Sequence, residues 1–252
     1  MDSLEFLTSS TIRQEILTQL DEKPHSTDDL SSAISNTKQG IRNNLDRLRQ
    51  KGWIEKHDGR WRLTSVGGVH LDIFERCVSS CETVDRLRPF LRRIPQSSTE
   101  YLDIQRLKQV EVEKGEPELP GVLEEEFISI LDDSDTYRGI VGTVTPMRLR
   151  NVYSRLSERS IRAEVVMSDD LVRTVREMRL DLLRKAAEHE RCELRKHGDI
   201  PFNVAVFDSR EVVLSVGNGY TEVMVRSEAD SSVDWANSLI DDFEDEASRV
   251  TG

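Results

Sequence analysis

The chain has 252 residues, of which 35 are Lys or Arg and 47 are Asp or Glu, and its formal net charge is −12 at pH 7. Its apolar runs are too short to span a membrane, acids stand near the N-terminus where a secretory signal carries basic residues, and three cysteines are too few for a disulfide framework. These features exclude a membrane protein and a secreted disulfide-rich protein, and they predict a cytoplasmic protein whose length suits two domains.

Charge is divided unevenly along the chain. Residues 1 to 95 hold 15 basic and 14 acidic side chains, whereas residues 96 to 252 hold 20 and 33. Residues 36 to 62 hold eight basic against three acidic side chains, a local charge of +5. A basic segment in an acidic chain indicates a polyanionic partner. Because only eight cations are Lys and Asp is nearly as frequent as Glu, the composition also predicts a halophilic protein of a salt-rich cytoplasm.

Three short helices are predicted before residue 52. The first covers residues 11 to 20, and residues 26 to 29 have the residue types of an N-cap and capping box for the second. Asn36, with Gln39 three positions later, can cap the third. The apolar residues that recur at helical spacing are Ile12, Ile16, Leu17, Leu20, Leu30, Ala33, Ile34, Ile41, Leu45 and Leu48.

The polar side of the third helix carries Lys38, Gln39, Arg42 and Asn43. Arg and Lys reach guanine acceptors or phosphates, and Asn and Gln can pair with adenine. The pattern therefore predicts a recognition helix over residues 37 to 51 in the major groove of double-stranded DNA. A solvated helix face is the alternative meaning of such a charged run.

A hairpin is predicted after the third helix. Residues 53 to 56 and 60 to 63 alternate in polarity, and Asp58-Gly59 between them is a hairpin signal. Three helices and a hairpin predict a winged helix-turn-helix DNA-binding domain over residues 1 to 63, with the wing against phosphates or the minor groove. The predicted DNA contacts are Lys38, Gln39, Arg42, Asn43, Arg47, Lys56, Arg60 and Arg62.

A long helical pattern runs from Thr64 to about Arg93, so residues 64 to 95 are expected to form a linker helix. Part of its apolar stripe is heptad-like and long enough to pair two chains, which predicts a homodimer on a pseudo-palindromic site. Packing of the stripe within its own domain is the alternative. The predicted dimer seam consists of Leu71, Phe74, Val78 and Cys81.

Strand and helix signals alternate beyond a polar break at residues 95 to 99. The pattern predicts an α/β domain with a mixed sheet over residues 96 to 252, so the whole chain is expected to be a two-domain α+β protein. Strands are expected at 139–144, 163–167, 192–195, 202–207, 212–216 and 222–225, helices at 102–110, 146–156, 169–188 and 231–243, and a loop at 113–121.

A ligand site is predicted where a strand is followed by a helix. Thr143 and Thr145 lie at the carboxyl end of the strand, and Arg148 lies in the first helical turn. Free backbone N–H groups and the helix dipole favour an anion or a hydroxylated molecule there, which predicts that the second domain senses a small-molecule effector. A purely local helix cap is the alternative. Weaker candidates at later strand ends are Asp208, Ser215, Asn218 and Tyr220.

Motifs of several enzyme classes are missing from the sequence. It contains no Gly-x-Gly-x-x-Gly, no phosphate-binding loop, no Gly-x-Ser-x-Gly elbow and no His-x-Lys pair. His189, Cys192 and His197 are the one cluster of metal-ligand residue types, and their spacing fits no standard zinc pattern. The sequence therefore predicts neither catalytic residues nor a metal or cofactor.

Two groups of motifs resemble a known family. Leu45-x-x-Leu48-x-x-Lys51-Gly52-Trp53-Ile54, followed by Arg60-Trp61-Arg62-Leu63-Thr64-x-x-Gly67, resembles winged-helix transcriptional regulators of archaea. The run from Asp199 to Asp208, with the later segments 212–216 and 235–243, is similar to archaeal regulators that carry a methanogenesis-regulator middle domain. The resemblance implies a dimeric repressor or activator with an effector domain.

The favoured interpretation is a sequence-specific transcriptional regulator. The alternative from another class is a winged-helix protein-interaction module in a larger assembly, with the acidic domain as its contact surface. The basic segment favours DNA over that alternative.

Overall fold

The computed structural model describes residues 3–107, 109–116, 118–119, 121–178, 181–217 and 220–250. The chain divides into two compact units, Met1–Cys81 and Glu82–Gly252, called the first and second unit below. The division falls inside a long helix, between residues 81 and 82.

The first unit begins with four helices and a hairpin, and the two strands of the hairpin are antiparallel. Asp58 and Gly59 at its turn have φ values of 47° and 81°. A two-residue turn that matches the twist of its strands needs positive φ at both positions, which explains the Asp-Gly pair. The elements are α1 (Ser3–Thr8), α2 (Thr11–Glu22), α3 (Thr27–Ala33), α4 (Lys38–Gln50), β1 (Ile54–His57) and β2 (Arg60–Leu63).

Side chains fix where helices α3 and α4 begin. Ser26 Oγ accepts from the N–H of Asp29 at 3.1 Å, and Asp29 Oδ2 accepts from the N–H of Ser26 at 2.9 Å, which is the predicted capping box. Hydrogen bonds from the backbone N–H and the side chain of Ser26 to the Asp29 carboxylate lower the pKa of Asp29. Helix α4 is capped by Thr37, whose Oγ1 accepts from the N–H of Gly40 at 3.1 Å. The predicted cap at Asn36 was therefore one residue too early.

The apolar sides of α2, α3 and α4 meet in one core. The side chains of Ile16, Leu30 and Ile41 have no exposed surface. Their burial stabilises the unit by about 1.5 to 3 kcal/mol each, and it turns the polar side of α4 outward. The other fully or almost fully buried apolar residues here are Phe6, Leu7, Leu17, Leu20, Ile34, Leu45, Leu48, Trp53, Ile54, Trp61 and Leu71.

Helix α5 (Ser65–Leu91) begins beside the hairpin. Thr64 Oγ1 accepts from the N–H of Gly67 at 3.1 Å and donates to the carbonyl of Gly52 at 2.7 Å. A Cβ on Gly67 would lie 2.1 Å from the carbonyl oxygen of Trp53. Only glycine permits this approach, so the residue that weakens the helix in isolation is required by its surroundings.

The second unit contains an eight-stranded mixed sheet with the strand order β10-β6-β5-β4-β7-β8-β9-β3. Strand β5 pairs in parallel with β4 and β6, and the remaining pairs are antiparallel. The predicted mixed-sheet α/β class is confirmed. The elements are a 3-10 helix (Gln96–Tyr101), β3 (Glu111–Lys114), α6 (Val122–Asp132), β4 (Thr136–Val141), α7 (Pro146–Ser157), β5 (Arg162–Ser168), α8 (Asp169–Glu177), α9 (Leu182–Ala187), β6 (Cys192–His197), β7 (Asn203–Phe207), β8 (Glu211–Val216), β9 (Val223–Ser227), α10 (Asp230–Glu246) and β10 (Ser248–Arg249).

Helices cover both faces of this sheet. Ile140 and Val204 point to a core that contains α10 and the last turns of α5, and Tyr137 and Phe207 point to the opposite core. That opposite core contains α6, α7, α8 and α9. Because neighbouring strand residues face opposite cores, the central strands consist almost entirely of apolar residues.

Three local predictions were wrong in the second unit. The segment expected to be one helix over 169–188 contains two, α8 and α9. A helix was expected over 102–110, but the described residues there form turns and irregular chain. The expected loop at 113–121 includes the second half of β3, an edge strand that its charged sequence Glu-Val-Glu-Lys does not signal.

Two carboxyl groups lie together beside this edge strand. Glu113 shares a hydrogen bond with Glu126 of α6, and this bond, partial burial and the charge of Glu126 raise the pKa of Glu113 from 4.5 to about 7. The Arg226 guanidinium opposes the rise and also pairs with Glu126 and Glu211. The folded protein therefore holds a proton that the unfolded chain releases near pH 4.5.

The free energy of unfolding should fall as the pH rises from about 4.5 to about 7, because Glu113 binds its proton more tightly in the folded state in that window. Glu113→Gln should remove this part of the pH dependence. Urea unfolding at a series of pH values measures this pH dependence. Glu125→Gln, at an exposed position of α6, serves as the control. Equal pH profiles for the Glu113 variant and the parent would contradict the assignment.

Candidate nucleic-acid interface

The predicted contact residues of helix α4 form one exposed surface. Lys38, Gln39, Arg42, Asn43 and Arg47 are all exposed. The opposite side of the helix is buried in the core of the first unit. A 13-residue helix is about 20 Å long, so these side chains extend over more than two turns. The surface offers cations and amide groups together.

Local contacts orient two of these side chains. Gln39 Nε2 donates to Asn43 Oδ1 at 2.9 Å, which leaves the Asn43 amide nitrogen directed away from that bond. Lys38 forms an ion pair with Asp28 of α3. Arg42 forms no ion pair or side-chain hydrogen bond within the described residues. Arg42 is therefore available to an external acceptor.

Asp46 lies on the same exposed side of α4, three residues after Asn43 and seven after Gln39. Sequence reasoning missed it because it looked only for cations and amides. A carboxylate can accept a hydrogen bond from the amino group of cytosine. The surface is therefore not uniformly basic.

The basic residues of the hairpin are partly tied to the protein. Arg62 pairs with Glu55 of the opposite strand at 2.7 Å, and Arg60 Nη1 donates to the carbonyl of Pro24 at 3.3 Å. Lys56 Nζ lies 5.3 Å from the centre of the indole ring opposite it. All three remain exposed, so their charges stay accessible at the end of the hairpin.

A second group of cations lies beside α4. Arg13 of α2 is 3% exposed, and its Cζ lies 4.1 Å from the centre of the Phe6 ring. Its Nη2 donates a hydrogen bond to Ser9 Oγ at 2.8 Å. Burial and the nearby charge of Arg47 lower the pKa of Arg13. Lys51 Nζ lies 4.9 Å from the same ring. An anion near Arg47 and Lys51 would offset the repulsion between the charges of Arg13 and Arg47.

Leu71 of the predicted dimer seam is 3% exposed and belongs to the core of the first unit, so it is not available to a partner chain. Phe74 is half-buried and packs against the same core. Val78 and Cys81 are exposed. The folded first unit itself therefore covers the first two of the four predicted seam residues.

In the second unit, the predicted ligand residue Arg148 is buried in an ion pair. Its Nε donates to Glu124 Oε1 at 2.8 Å and its Nη2 to Oε2 at 3.0 Å. The hydroxyls of Thr145 and Thr221 donate to the same carboxylate at 2.8 and 3.0 Å. Glu124 was missed because three consecutive Glu residues at the start of a helix look like an exposed acidic turn. The donors expected to meet an anionic ligand therefore already serve Glu124.

Asn203 joins two other predicted ligand residues. Its Oδ1 accepts from the N–H of Gly142 and of Thr143, at 2.8 and 3.2 Å, and its Nδ2 donates to the carbonyl of Thr143 at 2.9 Å. The same Nδ2 reaches Ser215 Oγ at 3.3 Å. Thr143 and Ser215 thus lie at one end of the sheet, close to Thr145.

Asp208 lies at the opposite end of strand β4. Its Oδ1 accepts from the N–H groups of Asp135 and Thr136 at 3.0 and 2.8 Å. Asp208 therefore does not belong to a site with Thr143, and its φ of 49° marks a turn residue. Two candidates remain: Tyr220 is 40% exposed, and Asn218 lies outside the described residues.

Family models match most of the chain. Residues 120–246 match the model described as methanogenesis regulatory protein FilR1, middle domain, which spans half of the chain, and residues 1–86 match the model described as HVO_A0261 N-terminal domain. The chain belongs to the FilR1 middle-domain family. Membership in the FilR1 family confirms the resemblance of the C-terminal motifs to archaeal regulators. The chain is therefore similar to transcriptional regulators.

Several solved structures match this FilR1-family chain at low sequence identity. TrmBL2, an archaeal chromatin protein described as showing a novel mode of DNA binding, is 12% identical with a TM-score of 0.45, and 98% of each chain is covered. Nuc of Salmonella typhimurium, a phospholipase D family member, is 14% identical with a TM-score of 0.46, covering 57% of this chain and 100% of Nuc. NucT from Helicobacter pylori is 13% identical with a TM-score of 0.45, covering 56% and 100%. These TM-scores are too low to support a functional assignment.

No curated protein sequence matches the chain. Across the ranges that the structure describes, no helix is both long and apolar enough to cross a membrane. The same residues include no group of three or more His, Cys, Asp or Glu side chains that could hold a metal ion.

Proposed function

We propose that the chain is a sequence-specific DNA-binding transcriptional regulator. Its first unit is a winged helix-turn-helix domain in which α4 enters the major groove and the hairpin of β1 and β2 is the wing. The second unit senses a small molecule and has no catalytic role. This proposal is consistent with membership in a family of regulatory proteins.

The exposed side of α4 is the observation that carries the proposal. A major groove about 12 Å wide admits one helix, and Arg, Asn and Gln are the side chains that distinguish base edges there. On α4 these residue types are turned outward by the burial of Ile41, Leu45 and Leu48. The cations of the hairpin lie where a wing would contact phosphates.

Titration of a labelled promoter fragment of the protein's own gene, followed by fluorescence anisotropy, tests the proposal. Affinity should fall with added potassium chloride, with a slope of roughly −0.9 in log K against log salt for each phosphate contact. A specific site should still bind at molar salt, the condition that the composition predicts for the cell, where a random duplex of equal length does not. Equal affinity for the two duplexes would contradict sequence-specific binding.

The proposal includes a homodimer that pairs through α5. The exposed residues Val66, Val69, Ile73 and Val78 of this helix are 52%, 58%, 50% and 39% exposed, and the first three are spaced by three and four residues. A two-fold pair of helices would cover such a stripe. Two copies would then present two α4 helices to successive turns of DNA.

Ile73→Glu should convert the dimer to a monomer, because a charge would then lie in the apolar contact between the two helices. Sedimentation velocity measures the change. Glu75→Ala, on another side of the same helix, should leave the dimer intact. A dimer that survives Ile73→Glu would exclude this pairing.

A further inference from the structure

An apolar cavity lies in the second unit between the sheet and helices α7 and α9. Most of its wall is aliphatic and includes Val141, Val152, Met167 and Leu183. The cavity measures about 60 Å³, several times the roughly 10 to 15 Å³ that one water molecule needs on the same measure. It has room for a small organic molecule.

Two residues of this wall carry a hydrogen-bond donor that has no partner among the described residues. Tyr137 and Arg148 both line the cavity, and each is 3% exposed. Arg148 uses Nε and Nη2 for Glu124 and Thr221. Among the residues that the structure describes, neither Arg148 Nη1 nor the Tyr137 hydroxyl makes a hydrogen bond. Burial raises the pKa of Tyr137 to about 12, so its hydroxyl keeps its proton and can donate.

These donors define the chemistry of an occupant. Buried polar groups almost always have partners, and leaving one without a partner is unfavourable. Since the charge of Arg148 is already balanced by Glu124, a second carboxylate would bring an uncompensated charge into an apolar site. A neutral acceptor such as a carbonyl oxygen would satisfy both donors without that penalty.

We propose that this cavity binds a small, neutral, mostly apolar molecule with one carbonyl-type acceptor, held by the Tyr137 hydroxyl and Arg148 Nη1. Arg148 would thus bind the effector, as the sequence predicted, but in a different site. The described residues of the cavity wall include neither Thr143 nor Thr145. The inference rests on the proposed function only in naming the bound molecule as the regulatory signal.

Titration of the full chain with acetophenone and with cumene, two probes of nearly equal shape, tests this assignment. Methyl NMR of Val, Leu and Met reports where each probe binds. Saturable shifts at Val152, Met167 and Leu183 are expected for both probes, with tighter binding of acetophenone because only it has an acceptor. Tyr137→Phe should weaken acetophenone binding about 3- to 10-fold and leave cumene binding unchanged.

Two variants keep the test decisive. Val152→Phe should fill the cavity and abolish binding of both probes, and Tyr101→Phe, whose ring packs against Phe243 outside the cavity, should change neither. Without a probe, Tyr137→Phe should not lower the midpoint of urea unfolding, since the described residues give its hydroxyl no hydrogen bond to lose.

Three results would overturn the assignment. They are the absence of saturable shifts, equal weakening of both probes by Tyr137→Phe, and a loss of stability in that variant without a probe. Because the titration contains no DNA, its outcome does not depend on whether α4 binds a duplex.

Discussion

Replacement of Arg42 and Asn43 together by alanine should weaken binding to the operator by at least about 30-fold, because each base contact contributes about 1 to 3 kcal/mol to discrimination. Both side chains are exposed on α4 and make no contact with the core. The fold and the oligomeric state should therefore remain unchanged. Anisotropy with promoter DNA measures the loss.

Charge alone must be separated from base recognition in this experiment. Arg150→Ala removes an exposed cation from the second unit and serves as the charge-matched control. We expect the double variant to lose its preference for the promoter over a random duplex, while the control keeps that preference. If the double variant binds its promoter as tightly as the parent, α4 is not the recognition helix.

Glu124→Ala should lower the free energy of unfolding of the second unit by about 3 to 5 kcal/mol, because it leaves the Arg148 guanidinium buried without a counter-ion. Both side chains are almost completely buried, at 2% and 4% exposure. Urea unfolding followed by circular dichroism measures the effect. Glu125→Ala, at the next and exposed position, should change stability by less than about 0.5 kcal/mol.

A second substitution distinguishes a lost ion pair from a simple cavity. The double variant with Glu124→Leu and Arg148→Met replaces both charges by apolar side chains of similar size, and it should recover most of the stability lost in Glu124→Ala. A double variant as unstable as the single variant would show that packing, rather than the unpaired charge, accounts for the loss.

The features that sequence predicted well depend on neighbouring residues. The Ser26 and Asp29 capping box, the Asp58-Gly59 turn and the start of α7 at Pro146 each rest on residues within a few positions of one another. The apolar side of α4 also followed from its spacing. Such signals express local hydrogen bonding and backbone preference, which a short segment determines by itself.

Long-range contacts account for what the sequence left hidden. Glu124 and Arg148 are 24 positions apart, and nothing in either segment shows that they share a buried site. Strand β3 is held by pairing with β9, so its charged residues give no sign of a strand. Leu71 fitted a dimer seam by spacing, although the fold buries it within its own unit.

Asp46 has a consequence for discrimination between duplexes. If α4 lies in a major groove, a base pair that presents no amino group opposite this carboxylate leaves it stripped of water and close to phosphate charge. Sites with the wrong base would then be rejected by repulsion as well as by missing attraction. Asp46, as a single acid among cations, would weaken non-specific binding of the helix to chromosomal DNA and increase its selectivity for the target site.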